Sequence, residues 1–178
     1  LQDGFEVFAT YRNSNKNVTD LLKKKNICIL KCDLTDPQKI HLLAEQLGKA
    51  GFNWTHFFSS VGTSTPIGKF FDLDFEKWQK SIDINFTSQL RALHSIFGFR
   101  DKAGIATINF MAGGGTNSTF DNYSAYTVSK IGLIKFCELL NSEYEDVKIQ
   151  IVGPGFVKTK IHYETLEAGE AAGNNLKR

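Results

Sequence analysis

Asn122-Tyr123-Ser124-Ala125-Tyr126-Thr127-Val128-Ser129-Lys130 is the stretch on which the reading of this chain turns. Its apolar spacing predicts an amphipathic helix to about Ser142, packed through Ile131, Ile134, Cys137 and Leu140. Tyr126 and Lys130 are four residues apart, so on a helix they share one face, roughly 40° apart around the axis. An ammonium then stands beside a phenol. A free tyrosine titrates near pH 10, so proton exchange near neutrality asks for a shift of roughly 3 units, or about 4 kcal/mol. A neighbouring cation favours the phenolate and can supply part of it. Alone, Tyr-x-x-x-Lys is equally the sequence of an exposed helix surface, and its meaning comes from the flanks.

Working outward, the flanks alternate strand and helix. Upstream, Ile105 to Phe110 reads as a strand running into Ala112-Gly113-Gly114-Gly115-Thr116. Before it, Asp74 caps a long helix, about Phe75 to Phe97, with Phe75, Trp78, Ile82, Phe86, Leu90, Leu93 and Phe97 on one face and Asn85 interrupting its middle. His56 to Ser60 is a strand closed by Val61-Gly62. Thr35-Asp36-Pro37 caps a helix with Ile40, Leu43, Ala44 and Leu47 as its stripe. Ile27 to Cys32 is a strand ending at Asp33. A modest helix spans Lys16 to Lys25, and Phe5 to Thr10 is a β-prone run leading into Tyr11-Arg12-Asn13. Gly4 reads as a helix stop. Downstream, Val147 to Val152 ends at Gly153-Pro154-Gly155; a helical pattern runs from Thr159 to Ala168, and 169–178 reads as polar loop. This order predicts an α/β fold, a doubly wound parallel sheet covered on both faces, in one domain over 1–178.

Composition narrows the function. The chain has 178 residues, 42% apolar and 22% charged, with a formal net charge of +2, which gives no reason to expect nucleic acid or an anionic membrane as partner. Lys23-Lys24-Lys25 reads as a solvated helix end. Cys28, Cys32 and Cys137 lack metal-ligand spacing and read as reduced packing residues; no metal is expected. No apolar run reaches membrane-spanning length, and Leu1-Gln2-Asp3-Gly4 is no signal peptide, so a cytoplasmic location is the default expectation. Of the histidines, His41 and His94 fall on helices and His56 starts a strand; His162 is the one placed to meet a substrate.

In open α/β sheets, ligands bind outside the carboxyl ends of the strands. Arg12, Asp33, Ser59 to Gly62, Gly113 to Thr116 and Pro154-Gly155 all fall there, and small residues let an extended ligand approach the backbone. In this ordered set the chain resembles the short-chain dehydrogenase/reductase family, in its short single-domain branch. The motifs are Asp33-Leu34, Ser59-Ser60-Val61-Gly62 where the family has Asn-Asn-Ala-Gly, Asn85, Tyr126-x-x-x-Lys130 and Pro154-Gly155-x-Val157-x-Thr159. The resemblance implies a Rossmann-like sheet and NAD(P)-dependent carbonyl/alcohol chemistry. It makes Tyr126 the general acid/base and Lys130 the holder of the nicotinamide ribose that also lowers the Tyr126 pKa. Asn85 would bend its helix and anchor a relay water. Asp33 would reach the adenine, Ser60 to Gly62 would pass under the cofactor, and Pro154 to Thr159 would flank the nicotinamide. Tyr11 stands where NAD-using relatives place an acid, and Arg12 can pair with a 2′-phosphate, so NADP(H) is expected over NAD(H).

Two departures shape what is expected. Thirteen residues before Tyr126, where the family carries its serine, stands Gly113. Thr116, Asn117, Ser118 or backbone N–H groups of the glycine run are the candidate replacements, and Gly113, Thr116 and His162 the candidate substrate contacts. The Gly-Gly-Gly-Thr-Asn run resembles family members of bacterial surface-polysaccharide clusters, implying a sugar-related substrate. The family's opening strand with its Thr-Gly-x-x-x-Gly-x-Gly phosphate turn and its closing strand have no counterpart here. The chain is therefore expected to be part of a longer product, a homo-oligomer when full length, with 156–178 part of a substrate lid. The strands from Phe5 and His56 should then lack a shared neighbour. Two alternatives stand beside the oxidoreductase: a non-redox binding or regulatory protein of the same fold, and an NAD-dependent nucleotide-sugar epimerase or dehydratase.

Overall fold

Short β-prone runs alternating with capped amphipathic segments fold as strands and helices in the expected order. A computed structural model, which describes residues 4–155 and 157–177, has β1 (Val7–Tyr11), α1 (Lys16–Leu21), β2 (Ile27–Lys31), α2 (Pro37–Lys49) and β3 (His56–Ser59). Then follow α3 (Phe75–Ile82), α4 (Ser88–Ile96), β4 (Ala106–Met111), α5 (Ser124–Glu143), β5 (Val147–Val152) and α6 (Lys160–Ala168). The first helices begin at side-chain caps: Asn15 accepts from Val18 N, Asp36 from Gln38 N and Lys39 N, and Asp74 from Glu76 N and Lys77 N.

Every strand pairing is parallel. β1 lies on β2 from Val7–Ile27 to Tyr11–Lys31, β3 on β4 from His56–Thr107 to Ser59–Phe110, and β4 on β5 from Ala106–Val147 to Met111–Val152. The sheet is thus in two pieces, β1-β2 and β3-β4-β5. A cavity of about 760 Å³ separates them, lined by Val7 to Thr10 on one side and His56 to Ser59 on the other. Rings cross it near one end, Phe5 to His56 at 5.2 Å and Phe8 to Phe52 at 5.3 Å between centroids. Among the described residues these two strands therefore lack a shared neighbour, as expected, and no strand pairs their facing polar edges.

The core joins Ile108, Phe110, Val147 and Ile149 of the sheet to Leu93, Leu133 and Cys137 of α4 and α5, with Trp54 at its edge donating to Ile96 O at 2.9 Å. Fully burying a Leu or Ile side chain such as Leu133 or Ile108 is worth about 1.5–3 kcal/mol. The alternate strand residues Phe58, Lys148 and Gln150 are exposed, so that face, expected to be covered, is open among the described residues.

Several sequence expectations change. Ile131 is exposed because α5 turns Ala125, Ser129, Lys130 and Leu133 inward instead, and Phe75 is exposed on α3, whose buried residue is Ser81. Cys28 lies on the open side of β2 and is exposed, not packed. The expected single helix from Phe75 to Phe97 opens into a π-helical turn at Asp83–Thr87. Residues 169–177 form 3₁₀ turns kinked at Gly173 where a polar loop was expected. They are drawn in by Asn122 Nδ2 donating to Ala171 O and Asn175 Nδ2 to Asp121 O. Phe156 and Arg178 of the expected lid fall outside the described residues. No helix among the described residues is long and apolar enough to cross a membrane.

Candidate active site

α5 begins at Ser124, so Tyr126 and Lys130 occupy its first two turns at the carboxyl edge of the sheet. Both are buried, Tyr126 at 7% and Lys130 at 2% exposure, and the Lys130 ammonium lies 5.7 Å from the Tyr126 ring centre. The pair expected from the spacing is thus formed. Its electrostatics are not those implied by the resemblance: burial raises the Tyr126 pKa above 10. The Gly114 N–H bonded to the phenol offsets part of this, and the Glu164 carboxylate pushes the same way as burial. Burial pushes Lys130 down to about 8. Desolvation of the charged form leads both shifts. Among the described residues no hydrogen-bond acceptor meets the Lys130 ammonium; its near neighbours are the Tyr126 ring and the position a β-carbon would take on Gly62, 3.9 Å away.

Asn85 is fully buried inside the π turn. Its amide nitrogen donates to Ser81 O at 2.9 Å, Ser81 Oγ at 3.1 Å and Thr63 O at 2.9 Å, while its Oδ1 accepts from Thr63 N at 3.0 Å. The helix opens there because the side chain competes for backbone groups that a regular turn would use. Asn85 thereby ties the helix to the turn after β3, and a β-carbon on Gly62 would lie 3.2 Å from its Oδ1.

The position of the missing serine has a physical explanation. A β-carbon on Gly113 would stand 2.4 Å from the Tyr126 hydroxyl oxygen. The phenol occupies the space a side chain would need. Thr116 is turned back, its hydroxyl donating to Gly113 O at 3.3 Å, while Asn117 and Ser118 are exposed.

A cleft of about 730 Å³ runs along the strand ends. Of the expected cofactor residues, Arg12, Asp33, Leu34, Ser60, Val61, Gly62 and Thr159 line it. Asp33 Oδ1 accepts from Thr35 N and Thr35 Oγ1 at 3.0 and 2.8 Å. Partial burial would raise its pKa, but these bonds and the charges of Arg12 and Lys39 hold it below the ordinary carboxylate value. Ser59 instead faces the gap between the sheet pieces, its hydroxyl donating to Gln89 Oε1 at 2.5 Å. Pro154, Gly155 and Val157 are exposed and outside the cleft wall. His162 sits on α6, edge-on to Tyr163 and away from the wall. Tyr126, Lys130 and Asn85 lie behind the wall, with Ile161, Ala168 and Ala172 packed over Tyr126 and its neighbour Tyr123.

Sequence reasoning missed Thr63, Ser64 and Glu164, which meet at the cleft wall. The available signal was Glu164 on the same helical face as Ile161 and Ala168, an acid within an apolar stripe. No group of three or more His, Cys, Asp or Glu able to hold a metal occurs among the described residues.

Comparison with known proteins places this geometry. A family model described as enoyl-(acyl carrier protein) reductase matches residues 1–177. The chain is 27% identical over 170 residues to an NADPH-dependent 1-acyldihydroxyacetone phosphate reductase of Schizosaccharomyces pombe, covering 93% of this chain and 55% of that protein. It spans 64% and 53% of two further curated oxidoreductases from Schizosaccharomyces pombe and Saccharomyces cerevisiae. In fold it is similar to a short-chain dehydrogenase/reductase of Saccharomyces cerevisiae (TM-score 0.80, 20% identity, 96% of this chain and 76% of that one). It is similar also to a variant of actinorhodin polyketide ketoreductase crystallised with NADPH (TM-score 0.81, 19% identity, 95% and 68%).

Proposed function

The chain belongs to the short-chain dehydrogenase/reductase family, and we propose that it carries the catalytic centre of an NADP-dependent oxidoreductase interconverting a carbonyl and an alcohol by hydride transfer. The observation that carries this reading is a phenol beside a buried ammonium that no acceptor among the described residues meets. A buried cation without a protein partner is costly, and a ligand's hydroxyls would satisfy it. The residues present fit a dinucleotide: Arg12, Asp33, Ser60 to Gly62 and Thr159 all line one cleft.

NADP(H), when bound, supplies or accepts the hydride. Tyr126 gives its proton to the carbonyl oxygen during reduction and takes it back in oxidation. Lys130 is protonated at neutral pH, and its charge steadies the phenolate left behind. Asn85 keeps one Oδ1 lone pair beyond its Thr63 bond for a relay water. Arg12 selects the 2′-phosphate, and the NADPH named for the Schizosaccharomyces pombe relative and the ketoreductase supports that preference. Of the described residues from Pro154 to Thr159, Thr159 is the one on the cleft wall and would be the one to meet the nicotinamide end. The substrate is a small carbonyl compound approaching past Gly113 and Thr116. Exposed Val128, Ile131 and Leu139 on α5 support a homo-oligomer.

A second reading, a binding protein of this fold without turnover, is favoured by the lack of any side chain at Gly113. Tyr126→Phe decides between them in the protein as its gene encodes it. The proposed enzyme loses at least about 10²-fold in NADPH consumption with a carbonyl panel while NADPH binding holds. NADPH binding with no consumption by the unaltered protein would establish the second reading instead.

A further inference from the structure

Glu164 is 9% exposed, yet its carboxylate is fully engaged. It accepts from Thr63 Oγ1 at 2.9 Å, Ser64 N at 2.7 Å and Ser64 Oγ at 2.8 Å, and pairs with Lys160 at 2.9 Å. Bonds to an ionised acceptor are roughly twice as strong as neutral ones. What they fasten is specific. α6 packs through Ile161 and Ala168 on the buried cluster of Tyr123, Tyr126 and Ala172, which Ile67 and Phe120 also border. The turn that receives Glu164 is the one Asn85 grips from below, by its Oδ1 to Thr63 N and its Nδ2 to Thr63 O. Thr63 is therefore held by its backbone from the π turn and by its side chain from α6. Glu164 also stands in the cleft wall, and Tyr126 lies behind that wall.

We infer that Glu164 is a positioning residue that fastens α6 over Tyr126 through the Thr63–Ser64 turn, so that a substrate reaches the phenol only when this clasp releases. The inference rests on the proposed role of Tyr126, but its test involves no turnover and stands or fails apart from that reading. Loss of the carboxylate charge alone would already lower the phenol's pKa, so amide exchange in α6 is the readout that separates a clasp from a nearby charge.

The full chain and its Glu164→Gln, Ser64→Ala and Lys160→Ala variants are compared by two readouts. The first is NMR-detected amide exchange in α6, with Ile108 and Ile149 of the sheet as internal controls. The second is the Tyr126 phenolate absorbance, isolated by subtraction of Tyr126→Phe. The charged groups facing Tyr126 are Lys130 on its own helix and Glu164 on α6, with Lys160 behind Glu164. Glu164→Gln is expected to speed α6 exchange at least about tenfold and to bring the phenolate in at lower pH, since burial and the facing anion are both relieved. Ser64→Ala, from the donor side, moves α6 exchange in the same direction. Lys160→Ala removes only the exposed ion partner and leaves α6 exchange within about threefold. Unchanged α6 exchange in Glu164→Gln would overturn the inference whatever the Tyr126 titration does. So would equal acceleration at Ile108 and Ile149, which would make Glu164 a support of the whole fold.

Discussion

The Tyr126 hydroxyl occupies the space of the side chain that Gly113 lacks: a β-carbon there would lie 2.4 Å from Oη and 2.8 Å from Cγ of Lys130. Gly113→Ser therefore does not restore a family feature but displaces the phenol. The expected result is a loss of about 1–3 kcal/mol in stability from overpacking, read as a lower urea midpoint, with no gain in turnover. A serine variant as stable as the parent would contradict the packing described.

Lys130 carries a pH signature. Its pKa falls from 10.5 to about 8 on folding, so between those values the unfolded chain binds more protons than the folded one. Stability then rises with pH from about 8 toward 10 and is lost as pH falls back through 8, by up to about 3 kcal/mol. In Lys130→Met this slope should vanish. Parallel denaturation curves for the two proteins from pH 7 to 9.5 check it.

Asn85→Ala strips partners from Thr63 N, Thr63 O and Ser81 O, all in a buried region. A cost of about 2–4 kcal/mol is expected, since unsatisfied buried groups forfeit their desolvation. Chemical denaturation measures it, and a change below 1 kcal/mol would show that these groups find other partners.

Arg12 is the cleft residue placed to read the 2′-phosphate. Arg12→Ala should weaken NADPH about tenfold or more while leaving NADH within about twofold. Fluorescence titration of both nucleotides separates this from a general loss of the site, in which both would weaken together.

The unpaired edges of β1 and β3 bound a cavity, and Phe58 beside them is 61% exposed. The 178-residue chain should self-associate with rising concentration, and Phe58→Lys should reduce the association. Light scattering behind gel filtration decides; a monodisperse monomer near ~100 µM would argue that the edges are protected.

Local rules carried much of the fold. Asp36-Pro37 and Asp74 announce helix starts because capping chemistry is confined to a few neighbouring atoms, and β4 and β5 lie within a residue of where their apolar runs place them. The pairing of Tyr126 with Lys130 was legible for the same reason: helical spacing alone brings them together. Ile131 and Phe75 were misplaced because periodicity shows that a helix has an apolar face but not how that face turns onto the sheet.

By itself, then, the sequence determined the order of strands and helices, the break at Asn85 and the phenol–ammonium pair, all consequences of contacts a few residues apart. Only the tertiary structure decided that Gly113 leaves room for Tyr126, that burial and the Glu164 carboxylate raise the phenol's pKa, and that Glu164 reaches Ser64. Those outcomes depend on solvent exclusion and on contacts across 13, 38 and 100 residues, and such separations leave no trace in local pattern.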